Sequence, residues 1–266
     1  MQYLFDVWSN VSREIRGFKY KLILFDYDGT LTEIVDQPED AILVEQTRMK
    51  LKALAKKHGV VLGIVSGRSL TDIKERVDIE GIIYAGNHGL EIEGPGIRFI
   101  HPLAEEIQSF IRVIALVLKK TLGRVKGVIV EDKGLTLSIH YRMVEEGNID
   151  TVDNILENAV DTARRLGKIK ITKGKKVHEV RPAISWHKGK AVQMIIENYL
   201  HVPHRQNLIP VYLGDDLTDE DAFREIKRQD GISIYVGEDN PGSAAQYYLR
   251  SPDEVGKFIS EITAIV

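Results

Sequence analysis

Lys21-Leu-Ile-Leu-Phe-Asp-Tyr-Asp-Gly-Thr-Leu31 is an apolar run that ends abruptly in two carboxylates. Leu22 to Phe25 read as a buried strand, with Asp26 and Asp28 at its C-terminal tip and Gly29 and Thr30 just beyond. Carboxylates resist desolvation unless an ion or hydrogen bonds compensate. Open α/β sheets bind ligands just outside the carboxyl ends of their strands. The stretch therefore predicts a metal-assisted site at Asp26 and Asp28, with its partners supplied by other parts of the chain.

Working outward, Val60–Val65 and Ile82–Ala85 are further apolar strands that end in Ser66-Gly67-Arg68 and Gly86-Asn87-His88-Gly89. A helix over 45–57 and a shorter one from Ser69 separate them, and a hairpin turns at Gly94-Pro95-Gly96. Downstream, Lys188 opens a helix, Val211–Leu213 is a short strand running into Gly214-Asp215-Asp216-Leu-Thr-Asp219-Glu220-Asp221, and Ile232–Val236 is another. Ser251-Pro252 starts a last helix. Strands that are apolar throughout and alternate with helices imply a parallel sheet covered on both faces. At the N-terminus, Leu4, Val7, Trp8, Val11, Ile15 and Phe18 trace one helical stripe expected to pack on the body.

The pattern changes between about residues 103 and 182. Leu103, Ile107, Phe110, Ile111, Ile114 and Leu118 mark a long amphipathic helix, followed by strands at 128–131 and 135–141. A second helix, with Asn148 as its N-cap and Gly167 near its end, precedes strands at 168–172 and 176–181 that turn at Lys173-Gly174-Lys175. In the strand 135–141, Leu135, Leu137, Ile139 and Tyr141 alternate with Thr136, Ser138, His140 and Arg142, so one face is core and the other polar. Helix-strand-strand twice over predicts a four-stranded antiparallel sheet with two helices on one face. The fold class is thus α/β: a Rossmann-like parallel-sheet core over 1–102 and 183–266, with an inserted α/β cap domain over 103–182.

Composition narrows the function. The chain of 266 residues is 43% hydrophobic and 28% charged, an ordinary globular balance with room for a core and an insert. A net charge of −3, from 36 basic and 39 acidic residues, leaves no basic footprint for nucleic acid. No cysteine is present, which excludes disulfides, thiolate catalysis and cysteine-ligated zinc and fits a reducing, cytoplasmic setting. No apolar run reaches the roughly 18–20 residues of a membrane span, and Asp6, Arg13 and Glu14 interrupt any signal-peptide pattern. No membrane association and no obligate protein partner are expected.

Five places, Asp26/Asp28, Ser66, Asn87/His88, Lys188 and Asp215/Asp219, then converge on one sheet edge. These residue types suit phosphoryl transfer through an aspartyl phosphate. A carboxylate attacks a phosphate dianion only if its repulsion is neutralised. Magnesium, held by carboxylates and waters, does this. Asp26 and Asp215 are the natural carboxylate ligands, with Asp219 or Asp216 in support. Asp28 suits proton transfer to the leaving alkoxide and from water. Ser66 and Thr30 suit hydrogen bonds to phosphate oxygens, and Lys188 sets a cation against nucleophile and phosphate.

Asp26-Tyr-Asp-Gly-Thr30, Ser66, Lys188 and Gly214-Asp215-Asp216 with Asp219 resemble, in order, the four motifs of the haloacid dehalogenase superfamily. The resemblance implies Asp26 as nucleophile, Asp28 as acid/base, and magnesium at Asp26, Asp215 and the backbone carbonyl of Asp28. Ala85-Gly-Asn-His-Gly-Leu-Glu91, Val130-Glu-Asp-Lys-Gly-Leu-Thr136, Glu179-Val180-Arg181-Pro182 and Gly214–Asp221 are similar to the trehalose-6-phosphate phosphatase family over about residues 21–245. That likeness implies that Glu131, Lys133 and Glu179 grip sugar hydroxyls from the cap, while Arg68, Asn87 and His88 line the core side. Thr32-Glu33-Ile34 departs from it where the family often has a proline. With no synthase domain attached, a free-standing phosphatase is expected.

Three alternatives stay open at this point. The substrate could be another sugar phosphate, such as sucrose phosphate or a mannosyl- or glucosyl-glycerate phosphate, whose carboxylate would want Lys133, Arg142 and Arg181. A phosphosugar mutase shares the aspartyl phosphate. A sugar-phosphate-binding regulatory module would bind without turnover, although such a module is expected to lose Asp26 or Asp28.

Overall fold

Residues 1–174, 176–200 and 207–266 are described by the computed structural model. Lys175, in the expected turn at 173–175, lies outside them. They form two compact units, Met1–Phe99 with Trp186–Val266, and Ile100–Ser185. The first unit begins with β1 (Gln2–Tyr3), α1 (Trp8–Arg16), β2 (Tyr20–Phe25), α2 (Glu45–Ala55), β3 (Val60–Val65), α3 (Leu70–Val77), β4 (Ile83–Gly86), β5 (Glu91–Gly94) and β6 (Ile97–Ile100). The second holds α4 (Pro102–Glu106), α5 (Gln108–Leu122), β7 (Ile129–Asp132), β8 (Leu137–His140), α6 (Ile149–Arg165), β9 (Ile169–Gly174) and β10 (Val177–Pro182). The chain re-enters the first unit with α7 (Lys188–Leu200), β11 (Leu208–Gly214), α8 (Glu220–Arg228), β12 (Ile232–Val236), β13 (Tyr247–Leu249) and α9 (Pro252–Ile265).

Among the described residues the large sheet has nine strands, ordered β1-β13-β12-β11-β2-β3-β4-β5-β6. Pairing is parallel from β1 to β4 and antiparallel between β4 and β5. Strand β2 is apolar on both faces because alternate side chains enter different cores. Ile23 and Phe25 pack with Val11, Ile15, Leu51, Leu54, Phe258 and Ile259, from α1, α2 and α9. Leu22 and Leu24 pack with Val192, Ile195, Phe223 and Ile226, from α7 and α8. From β2 the chain steps outward through β3 and β4, and from β11 it steps the other way through β12 and β13. The two central strands are therefore neighbours at the switch point, in a register that pairs Phe25 with Leu213.

The N-terminal stripe is split rather than continuous. Its helix is only Trp8–Arg16, while Leu4 sits in a short 3-10 turn over Leu4–Asp6. The reason is β1, which pairs with β13 and draws the first residues to the sheet edge. Leu4, Val11 and Ile15 are nevertheless buried, with Val7, Trp8 and Phe18 packed against the same core.

The second unit is a four-stranded antiparallel sheet ordered β7-β8-β10-β9. Helices α5 and α6 share a core with Leu137, Ile139, Ile169 and Val180. Three expectations need correction here. The long helix breaks at Ile107, where φ is −92° and ψ is 2°, giving α4 and α5. Leu103 and Phe110 are exposed, because Ala104 is the residue α4 turns inward and Ile111, Ile114, Ala115, Leu118 and Leu122 fill the inward face of α5, a neighbouring residue pointing about 100° away round a helix. Asn148 makes no side-chain cap; it lies in the αR region at the end of a short turn over Glu146–Asn148.

Candidate active site

Asp26 follows β2 directly, and its backbone N–H donates to Leu213 O at 2.8 Å, continuing the β2–β11 ladder. That ladder brings the tips of β2 and β11 together, so Asp215, one residue past Gly214, arrives beside Asp26. The loop after Asp26 turns tightly on Tyr27, whose carbonyl accepts from the amides of Leu31 and Thr32. Gly29 adopts φ +86°, and a Cβ there would overlap the Asp215 carboxylate. A side chain at this position is excluded twice, by backbone strain and by the neighbouring acid.

Lys188, the first residue of α7, is 2% exposed. Its Nζ donates to Asp26 Oδ1 at 2.7 Å and to Asp219 Oδ1 at 2.8 Å. Asp219 Oδ1 also accepts from the Tyr212 hydroxyl at 2.6 Å, and Oδ2 accepts from the amides of Asp215 and Asp216 at 3.0 and 3.1 Å. Thr30 Oγ1 donates to Asp215 Oδ1 at 3.3 Å. Tyr212 was not among the residues singled out by sequence. Its signal was there: a tyrosine in an otherwise aliphatic central strand needs a buried partner for its hydroxyl.

Asp26, Asp215 and Asp219 present carboxylate oxygens within 4.8 Å of one another, against the ammonium of Lys188. Burial drives the Asp26 carboxyl well above its usual range; Lys188 opposes this, and the Asp219 and Asp215 charges add to it. Burial, with Asp219 and Asp216, pushes Asp215 up to about 7. Burial also raises Asp219, with Lys188 opposing. Desolvation alone would lower Lys188, but Asp219 and Asp26 hold it well above its ordinary value. The cluster thus carries more buried negative charge than its lysine balances, and hard oxygen donors of this kind fit a divalent cation. Asp216 stands apart. Burial would raise it, but Lys188 and its bonds from the Thr218 amide and hydroxyl keep it below the usual carboxylate range.

Asp28 lies on the other side of the loop. Both of its oxygens accept from Arg68, from Nε at 2.8 Å and from Nη2 at 2.6 Å. Arg68 is itself held by Asp72 at 3.0 Å and the Pro38 carbonyl at 2.8 Å, and it lies over the Tyr27 ring. Asp72 in turn accepts from Arg76. Ser66 is fully buried at the end of β3, and its Oγ accepts from the Arg68 amide at 3.2 Å. Asn87 and His88 both adopt left-handed backbone, at φ 50° and 56°, and their amides donate to Arg68 O and Ser66 O. The Asn87 side chain is fully buried and donates to Glu91 at 2.7 Å.

In the second unit, register aligns a polar row. Glu131 and Glu179 both pair with Ser138, from opposite sides, and Glu179 also pairs with Thr172. Lys133 Nζ lies 3.9 Å from Glu131 and 3.7 Å from Glu179. His140 Nε2 meets Glu131 Oε2 at 2.9 Å, and Arg181 is 3.6 Å from Glu179.

Fold and site together define a phosphoric monoester hydrolase of haloacid dehalogenase-like fold. A haloacid dehalogenase-like hydrolase from Bacteroides thetaiotaomicron shares the fold at TM-score 0.63 and 18% identity, covering 92% of this chain and all of that one. The C-terminal domain of trehalose-6-phosphate phosphatase from C. albicans shares it at TM-score 0.78 and 24% identity, covering 97% of both chains. A model of the family described as trehalose-phosphatase matches residues 24–253. The probable trehalose-phosphate phosphatase 3 of Oryza sativa subsp. japonica is 34% identical over 274 aligned positions, spanning 97% of this chain and 73% of that protein. The chain belongs to the trehalose-phosphatase family.

Proposed function

We propose that this chain hydrolyses trehalose-6-phosphate to trehalose and inorganic phosphate, with Asp26 as nucleophile and Asp28 as acid/base. The observation that carries the reading is the buried cluster of Asp26, Asp215 and Asp219 with Lys188 at the switch point of the sheet, on a chain of this family. Asp26 and Asp215 would hold magnesium with the Asp28 carbonyl. When bound, the ion would neutralise the acids and the phosphate dianion so that one carboxylate becomes a competent nucleophile. Asp219 belongs to a different task, since both of its oxygens accept bonds from Lys188, Tyr212 and two amides. It anchors Lys188 against Asp26.

In the first half-reaction an Asp26 oxygen forms a bond to phosphorus as the ester P–O bond breaks, and Asp28 protonates the leaving sugar alkoxide. In the second, Asp28 takes a proton from water, whose oxygen displaces phosphate from Asp26. Lys188, Thr30 and Ser66 orient and stabilise the phosphate oxygens. The row of Glu131, Ser138, Glu179 and Thr172 presents acceptors and hydroxyls that suit a neutral polyol, and Lys133 keeps the two glutamates close in charge balance. This row reads the sugar, and the setting is cytoplasmic.

Phosphate release from a panel of sugar phosphates, with and without magnesium, tests the reading. Trehalose-6-phosphate is expected to be the preferred substrate and chelation to abolish turnover; preference for a glycerate ester or sucrose phosphate would replace it. Glu131→Ala and Glu179→Ala are expected to reduce kcat/KM for trehalose-6-phosphate about tenfold or more, a lost set of polar contacts, while sparing p-nitrophenyl phosphate. Equal losses on both would remove the sugar-reading role. Binding of sugar phosphate without release would support a regulatory module.

A further inference from the structure

The guanidinium that grips Asp28 is itself gripped from behind. The Arg68 side chain is 7% exposed, whereas those of its two acidic partners, Asp28 and Asp72, are 42 and 31% exposed. A buried cation needs its N–H groups satisfied and its charge balanced. Burial would lower the Arg68 guanidinium, but its bonds to Asp28 and Asp72 hold it above its ordinary value. Nη1 donates to Asp72 Oδ2 at 3.0 Å, and Nη2 is shared between Asp28 and the Pro38 carbonyl. Asp72 lies in the first turn of α3, where Arg76, one turn on, donates from Nε to both of its oxygens at 2.9 and 2.8 Å. Arg76 Nη1 in turn donates to the Glu39 and Ala41 carbonyls at 3.2 and 3.1 Å. Charges therefore alternate in sign from Asp28 through Arg68 and Asp72 to Arg76, and the far end is tied to backbone. Ion pairs on an exposed helix face contribute little. This series differs because the buried member, Arg68, is the one that touches Asp28.

We propose that Asp72, with Arg76 behind it, is a positioning residue for phosphoryl transfer, fixing the Arg68 fork so that Asp28 is presented to the leaving oxygen in one geometry. The proposal rests on the reading of Asp28 as acid/base. Asp28 meets two demands, since both of its oxygens are held by Arg68 and the same carboxyl must serve the leaving alkoxide and then water. While it serves them its hold on Arg68 loosens, and Asp72 is the carboxylate that keeps the buried cation in place. With Asp72 gone, the fork would be oriented by Asp28 instead of orienting it. Proton transfer works only within hydrogen-bond reach and along the right line, and a displacement of about 1 Å can cost up to about 10²-fold in rate. Arg76 contributes one step further back, by holding both oxygens of Asp72 and so the plane in which Asp72 meets Arg68.

Leaving-group dependence tests this, because a sugar alkoxide needs a proton to depart and p-nitrophenolate does not. Asp72→Asn is expected to lower kcat/KM about tenfold for trehalose-6-phosphate and about twofold for p-nitrophenyl phosphate, with inhibition by trehalose unchanged. Asp72→Glu, which restores the charge, should recover part of the loss, and Arg76→Met should show a smaller loss with the same preference. An effect exerted through Asp28 disappears once Asp28 is gone, so adding Asp72→Asn to Asp28→Asn should change kcat/KM for trehalose-6-phosphate about twofold at most. Circular dichroism checks folding; should Asp72→Asn not fold, Arg76→Met carries the same comparisons. Equal losses on both esters, or losses that multiply with those of Asp28→Asn, would leave only a structural ion pair and overturn the proposal. Weaker inhibition by trehalose would overturn it by making Asp72 a support for sugar binding. If Asp28→Asn itself loses equally on both esters, the acid/base reading falls and the proposal with it; a selective loss in Asp28→Asn without one in Asp72→Asn overturns the proposal alone.

Discussion

Asp219 illustrates how a carboxylate inside a cluster of acids is assigned its task by its hydrogen bonds. Four donors from its own chain occupy it, whereas Asp26 meets Lys188 through Oδ1. Asp26→Asn keeps the size of the side chain and its acceptor toward Lys188 but removes the nucleophilic oxygen. Turnover is expected to fall on the order of 10³-fold or more, and appreciable phosphate release by the purified variant would overturn the assignment. Arg68 poses a sharper question. Its fork binds both oxygens of Asp28, and a protonated carboxyl cannot accept from both N–H groups in that way, so Asp28 must loosen one bond when it carries the proton. We expect Arg68→Lys, which keeps the charge but not the bidentate fork, to lower kcat about tenfold with little change in KM. A raised KM with kcat unchanged would make Arg68 a substrate ligand instead.

At the scale of elements, helix starts show how far local pattern carries. Ser69 caps α3, accepting from the Asp72 amide at 3.2 Å. Asn148 has the same type of residue before a helix and makes no such bond, because the Glu146–Asn148 turn already bends the chain into α6 and leaves Asn148 in helical backbone. Ser69→Ala is therefore expected to cost about 1 kcal/mol, and Asn148→Ala close to none; urea unfolding of the two variants measures the difference. An equal loss at both would contradict the absence of the cap. The break at Ile107 and the exposure of Leu103 and Phe110 have a related cause. An apolar residue at the margin of a helical stripe fits the 3.6-residue pattern almost as well as one at its centre, and only packing separates them. Strands β2 and β3 left no such ambiguity, since every residue of an apolar run is inward when both sheet faces are covered.

For the whole molecule, the acids at the strand tips couple metal, pH and stability. Asp215 is raised to about 7 by burial and by its acidic neighbours, against roughly 3.9 for a free aspartate. Between these values the folded state binds its proton more tightly than the unfolded one, so this group's contribution to metal-free stability falls as pH rises through that window. A divalent ion reverses the sign by binding the ionised form. Millimolar magnesium is expected to raise Tm by about 5 °C at pH 8, a few kcal/mol of linkage, and by less than half of that at pH 5.5. A shift of equal size at both would mean that these carboxylates do not hold the ion.

Most strands and helices, the α/β class and the chemical types at each strand tip were legible in the amino-acid order, while the short edge pair β1 and β13 was not. Periods of two and near four, and an apolar run that stops at an acid, are local signals that a chain carries without being folded. Tertiary structure decided which donors each acid meets. Lys188 reaches Asp26 across 162 positions and Arg68 reaches Asp28 across 40, and Tyr212 becomes part of the site only because its hydroxyl meets Asp219 in the interior. Those pairings depend on strand order and register. A hydrogen bond between distant residues leaves no period in the sequence, so the roles of identical carboxylates are set by the donors that folding brings to them.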